Sequence, residues 1–235
     1  MRLLNRFLRS PRLPILYYHE IGPKASKHVV TPQAFAAQMG WLGSARYQVL
    51  SMDEVARIAT GRAPAPERAV ALTFDDGRAG VLRHVAPLLQ RLGWPATIYA
   101  VTDWLDGKPV PEADRYSDFL AWRDLAALCD AGMTIGSHTC SHRNLKKVPE
   151  AELRAEVEGS RRRLEEQLGR SVAHFSFPKG RATRAARRAV RNAGYRTAVR
   201  TGQRVNGRGL HPHSLFRLRV HGEESLERFQ TLLEA

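Results

Sequence analysis

The chain has 235 residues, of which 43% are hydrophobic and 26% charged, with 18 glycines and 13 prolines. That length suits one α/β domain, and the composition excludes collagen-like and wholly disordered classes. Lysines and arginines number 37 against 23 acidic residues, a net charge of +14, which admits nucleic acid, an anionic membrane face or an acidic ligand as partner.

In chain order, the first nine residues (MRLLNRFLR) place Leu3, Leu4, Phe7 and Leu8 on one helical face and Arg2, Arg6 and Arg9 on the rest. This predicts a short basic amphipathic segment over 1–12, able to touch an anionic bilayer, ahead of a single domain over 13–235. It lacks the apolar run of roughly 7–15 residues that an export signal carries, so the expected location is cytoplasmic, peripheral at the inner membrane face. The apolar run 13–19 predicts a buried strand. Thr31 and Pro32 predict an N-cap and first helical residue, opening a helix to about 44. A short strand at 49–50 precedes Ser51, which caps a second helix with Glu54 placed for a capping box. The strand 69–74 enters Asp75-Asp76-Gly77, and a helix follows to about 92. Next come a strand at 96–101, a loop over 102–118, a helix at 121–131 and a strand at 133–136 entering 138–142. A long helix runs from 149 to near Gly169, then a strand at 172–177, a helix at 183–192, strands at 197–200 and 215–220, and a last helix at 223–233. Such alternation argues for a parallel sheet, open or closed into a barrel.

Two carboxylates at the end of a buried strand are costly unless paired or bound to a cation, and the carboxyl ends of parallel strands are where sites form. Asp75 and Asp76 point apart and can take different roles. His138 and His142, four residues apart after another strand, can face one point, and imidazole is the commonest protein ligand for zinc and similar ions. Cys140 between them points away and reads as a small buried residue; with Cys129 as the only other cysteine there is no disulfide framework, which suits a reducing compartment. One Asp and two His leave positions open for water and substrate, the catalytic type of metal site, and the second Asp is free to deprotonate water. The arginine runs at 161–163 and 187–188 lack the interleaved aromatics that base stacking needs; they read as solvated helix faces, and nucleic acid is not the expected partner.

TFDDG at 73–77 and HTCSH at 138–142, about 60 residues apart, resemble the first two motifs of the polysaccharide deacetylase family, the NodB-homology domain or carbohydrate esterase family 4; FSFPKG at 175–180 resembles its third. The resemblance covers about 13–222. It implies a distorted (β/α) barrel and a metal-dependent deacetylase acting on an N-acetylated amino sugar in a glycan or a lipid-linked intermediate. Carried over residue by residue, it implies Asp75 as general base and Asp76, His138 and His142 as ligands of one divalent ion, zinc first, with cobalt, nickel or manganese as alternatives. It implies the backbone N–H of Lys179 as an oxyanion donor. The chain departs from the family where an Arg usually precedes the third motif; Arg217 is the expected replacement, with Arg219 second. No apolar strand ending in His is evident near the carboxyl end. The first strand ends in His19 instead, as in a circularly permuted branch resembling biofilm-polysaccharide deacetylases, so His19 is the expected general acid, with His211, His213 and His221 as alternatives. Tyr18, Trp104 and Phe177 are aromatic candidates for a sugar ring, whereas Asp103, Asp106 and Asp114 read as turn residues. Two rival functions stay open: hydrolysis of another C–N bond, as in a formamide or cyclic ureide, and a degenerate module that binds glycan or anion without catalysis.

Overall fold

The computed structural model describes residues 12–207 and 209–234; the expected amphipathic segment falls almost wholly on 1–11, outside the described residues. The strands are β1 (Ile15–Tyr18), β2 (Glu20–Ile21), β3 (Val29–Val30), β4 (Gln48–Leu50), β5 (Ala69–Phe74), β6 (Thr97–Ala100), β7 (Thr134–Ser137), β8 (His174–Ser176), β9 (Thr197–Thr201) and β10 (Leu215–Arg219). Seven of them close a parallel barrel in the order β1, β5, β6, β7, β8, β9, β10, because β1 pairs with β5 on one side and β10 on the other. β4 lines the start of β5, at 69–71, on the side that β6 joins at 73–74. β2 and β3 form a separate parallel pair just after β1. This is the distorted (β/α) barrel that the motifs imply.

The helices are α1 (Pro32–Ser44), α2 (Met52–Ala59), α3 (Ala86–Leu92), α4 (Thr102–Leu105), α5 (Trp122–Asp130), α6 (Glu150–Leu168), α7 (Arg184–Asn192) and α8 (Leu226–Glu234). Local chemistry fixes their starts. Thr31 accepts from the Ala34 N–H, and Ser51 and Glu54 make the reciprocal capping box of α2. Two expectations need correction. The helix after Asp-Asp-Gly opens as a wide π turn over Val81–Val85 before α3, and the expected loop 102–118 holds α4 and a 3₁₀ turn, Glu112–Asp114. No helix among the described residues is long and apolar enough to cross a membrane.

Strand alternation divides the core in two. Val70, Leu72 and Phe74 pack outward with Leu16, Tyr18, Ile98 and Phe175 against the helices. Ala69 and Ala71 face the barrel interior with Ile15, Tyr99, Val199 and Leu215, and Met52, Val55 and Ile58 of α2 plug that interior from the end where the strands begin. Tyr99 fills the axis because Gly136 yields the space; a Cβ there would lie 2.5 Å from the Tyr99 ring. With one end plugged, the polar groups collect at the other, where the strands end.

Candidate active site

Asp75 continues the inward set of β5, two residues after Thr73, and is buried. An isolated buried carboxylate would be costly. Arg217 of β10, itself fully buried, offsets that cost with a bidentate clamp: Nη1 donates to Oδ1 at 2.8 Å and Nη2 to Oδ2 at 2.6 Å. The guanidinium also donates to Thr73 Oγ1 at 3.1 Å and Ser176 Oγ at 2.9 Å, and lies 4.5 Å from the Tyr17 ring centre. Burial alone would raise the Asp75 pKa; the Arg217 charge overrides it and holds Asp75 below the ordinary carboxylate value. The clamp keeps this base anionic and fixed in orientation.

Asp76 turns the chain away with φ 74°, and its two oxygens have separate surroundings. Oδ2 accepts from Arg78 Nη2 at 3.0 Å and Nε at 3.3 Å, and from the Tyr116 hydroxyl at 3.4 Å. Oδ1 is left 3.7 Å from His138 Nε2 and 3.6 Å from His142 Nε2. His138 Nδ1 is 2.8 Å from the Ser176 carbonyl. A carbonyl only accepts, so Nδ1 donates to it and Nε2 is the nitrogen turned toward Asp76. His142 has its Nδ1 3.9 Å from Asp114 Oδ2 and its ring against Trp104. Burial, then the neighbouring His138, lowers the His142 pKa to about 4, which favours the neutral ring. Burial opposes ionisation of Asp76, but the surrounding histidines and Arg78 hold its pKa well below the ordinary value.

The three ligand atoms lie within 4.8 Å of one another. Tetrahedral ligands at zinc distances of ~2.0–2.1 Å stand roughly 3.4 Å apart, so a small contraction of this triad suits a divalent ion. The donor set of one carboxylate and two imidazoles, each braced from behind, has the chemistry of such a site.

A cavity of about 360 Å³ opens over these groups, with His19, His28, Tyr17, Tyr116, Lys179 and Arg219 on its walls. His19 stands beside Tyr17 and His28, and burial lowers its pKa to about 4. Lys179 adopts φ 57° in the turn Pro178–Gly180. Its side chain is exposed, and among the described residues its backbone N–H has no acceptor. Gly180 has no room for a Cβ, which would fall 1.8 Å from Thr201 Oγ1. Of the six described non-glycine residues with positive φ, Asp76, Thr139, His142 and Lys179 belong to this end of the barrel, where strained backbone commonly serves function.

The structure thus gathers Asp75, Asp76, His138, His142, His19, Lys179 and Arg217. It corrects the aromatic expectations. Tyr18 is fully buried on the outward face, stacked on Phe74, with its hydroxyl on Gln38 Oε1 at 2.9 Å; the cavity wall is Tyr17. Phe177 lines the cavity although its side chain is fully buried, edge-on to Phe175, whereas Trp104 packs behind His142 instead of facing the cavity. Arg219 reaches the Lys27 carbonyl and His28, not Asp75. His211, His213 and His221 lie off the cavity. Cys140 points to the Ala155 carbonyl and is half-buried, away from the triad. Asp103 pairs with Lys108 and Asp106 with Arg163, as turn residues do, but Asp114 lines the cavity. Arg78, Tyr116 and His28 escaped the sequence reading, which took Asp114 for a turn residue only. The one local signal was an arginine two residues after Asp76.

A family model described as polysaccharide deacetylase matches residues 62–198, more than half of the sequence. The chain belongs to the polysaccharide deacetylase family. This polysaccharide deacetylase is 27% identical over 227 residues to YxkH of Bacillus subtilis (strain 168), a protein that carries the same family name, covering 97% of this chain and 78% of that one. It is 33% identical over 117 residues to the poly-beta-1,6-N-acetyl-D-glucosamine N-deacetylase of Escherichia coli (strain K12), a stretch of 47% of this chain and 17% of that protein. Its fold matches that of the Streptococcus pyogenes deacetylase PplD, solved in complex with acetate, with a TM-score of 0.84 at 22% identity, over 96% of this chain and 100% of that one.

Proposed function

We propose that this polysaccharide deacetylase removes the N-acetyl group from an amino sugar in a glycan or lipid-linked glycan intermediate, with one divalent ion held by Asp76, His138 and His142. The observation that carries the proposal is the convergence of Asp76 Oδ1 and two histidine Nε2 atoms beside a carboxylate clamped by arginine. An ion there supplies Lewis-acid polarisation of the acetyl carbonyl and acidifies a neighbouring water. Asp75 takes the proton from the attacking water, and Arg217 keeps its oxygens aimed at the cavity. The Lys179 N–H donates to the oxygen that gains charge as the carbonyl carbon becomes tetrahedral. The C–N bond then breaks, acetate leaves, and the sugar nitrogen takes a proton. His19, on the same cavity wall, is placed to deliver it. Burial keeps His19 neutral at rest, so the proton it delivers is one received within the cycle, the proton that Asp75 took from water being the source.

The E. coli relative is named for poly-β-1,6-N-acetyl-D-glucosamine, which makes that polymer the first substrate to try. The test is acetate release with zinc, cobalt, nickel or manganese added. Asp75→Asn is expected to lose about 10²–10⁴-fold in rate while still binding metal, and His138→Ala to lose both. A folded, metal-loaded chain that frees no acetate from any N-acetylated glycan would sink the proposal; release from a formamide or ureide would select the other C–N hydrolysis. The intact Asp75–Arg217 clamp speaks for hydrolysis over a non-catalytic module. A cytoplasmic location with the amino end on the inner membrane face belongs to the same proposal; flotation with anionic vesicles, with and without residues 1–11, tests it.

A further inference from the structure

A second cavity, of about 490 Å³, lies on the outer wall of the barrel and shares no residue with the first. Its walls are Arg184, Arg187, Arg188 and Arg191 of α7, faced by His211 and His213. The sequence of α7 explains the stripe. Ala186 and Val190 are buried in the core, while the four arginines recur at i, i+3, i+4 and i+7 on the other face, and the helix has no acidic residue. Seven residues of rise spread their side chains over ~10 Å.

The charges here are not neutralised as those of the arginine run in α6 are. In α6 the run Arg161, Arg162 and Arg163 pairs with Glu165, Glu166 and Asp106. Among the described residues, Arg188 is the one arginine of α7 with a carboxylate, Glu150. Arg187 reaches a backbone carbonyl, that of Ala182, and among the described residues no carboxylate pairs with Arg184 or Arg191. No carboxylate lines the cavity. Arg200 of β9 crowds the same region, its pKa lowered by burial and then by Arg187. Like charges held this close repel unless an anion joins them.

We propose that this cavity is a binding site for a diphosphate group on a small ligand, separate from the deacetylase site. Guanidinium forks match phosphate oxygens in pairs, and a terminal diphosphate, of about −2 to −3 charge, answers the three arginines that have no carboxylate partner among the described residues. Among the described residues the wall has no Phe, Tyr or Trp, so it lacks the large stacking platforms of a single-stranded nucleic-acid site. A deacetylated glucosamine chain carries ammonium groups and would be repelled, so the cavity does not serve the polymeric product of the proposed reaction.

The test is calorimetric titration of the full chain with inorganic pyrophosphate at low salt, alongside the double substitution Arg184→Gln, Arg191→Gln. Both residues are exposed, so the variant is expected to fold and to release acetate from a neutral oligosaccharide at the unaltered rate. The expected result is a Kd below about 1 mM that weakens at least roughly tenfold in the variant. No binding, or equal binding by both chains, would overturn the proposal. Vesicles of phosphatidylglycerol, compared with phosphatidylcholine, form the other arm. Binding to the anionic vesicles that depends on these arginines, with none to pyrophosphate, would overturn it in favour of a membrane-facing surface.

Discussion

At Asp76 the two carboxylate oxygens are divided between neighbours, and Arg78 enforces the division. Its guanidinium holds Oδ2, while Nη1 donates to the Asp114 carbonyl at 2.7 Å and the plane sits 4.0 Å and 4.2 Å from the Tyr116 and Phe119 ring centres. One buried cation therefore orients a ligand and anchors the loop that brings Asp114 to His142. Arg78→Gln is expected to weaken zinc affinity by about 10–100-fold, the usual cost of losing a group behind a ligand. Competition with a chelator measures it, and saturating zinc should restore part of the rate. Unchanged affinity would show that Arg78 serves packing alone. Asp75, Asp76, His138 and His142 were legible because each ends or follows an apolar strand within a few residues. Arg78 was not, because apart from Asp76 its partners lie at 114–119, far along the chain. Tyr18 was mistaken for Tyr17 because neighbouring residues of a strand face opposite sides, and periodicity leaves open which set faces the axis.

α2 does for the lower end of the barrel what the site loops do for the upper. Its apolar face fills the interior, and Asp53 in its first turn receives His174 Nε2 at 3.3 Å and Arg196 Nη1 at 2.7 Å. His174 is buried inside the barrel, its Nδ1 2.8 Å from Thr197 Oγ1. The hydrogen bond from His174, with help from the Arg196 guanidinium and against partial burial, lowers the Asp53 pKa from 3.8 to about 2. A depressed folded-state pKa contributes stability that is present above the ordinary value and lost as the pH falls through the folded one. Asp53→Asn is therefore expected to melt lower than the unaltered chain at pH 6, with the gap closing as the pH approaches 2. Asp53 is half-exposed, so screening holds the effect to about 0.5–1 kcal/mol, or about 1–4 °C. A gap constant from pH 6 to 2 would mean that the plug does not use this charge. The start of α2 was legible because a capping box is local. The strands β2 and β3 were not, since two residues each carry no period and their pairing depends on the turn between them.

Across the whole molecule, closure is what joins the parts of the site. An open parallel sheet and a barrel share the same strand-helix alternation, so sequence periodicity left the choice open, and only the motif resemblance decided it. In the structure β1 sits between β5 and β10, and that pairing carries Arg217 to Asp75 and puts His19 over both carboxylates. A divalent ion would add a further tie, joining the loop after β5 to the loop after β7. Binding to the folded chain alone stabilises it by RT ln(1 + [L]/Kd), about 2.7 kcal/mol at a hundredfold excess over Kd. For a chain of this size that corresponds to a rise of roughly 5–10 °C in Tm. Zinc at that excess is expected to produce such a rise, EDTA to reverse it, and His138→Ala or Asp76→Asn to abolish it. The outer wall of the barrel also offers His211 and His213, a second place for zinc to act. If the rise persisted in His138→Ala and vanished instead in a His211→Ala, His213→Ala chain, the stabilising ion would be on the outer wall. The triad would then have lost its claim to the metal, and Asp75 its reason to stand beside it.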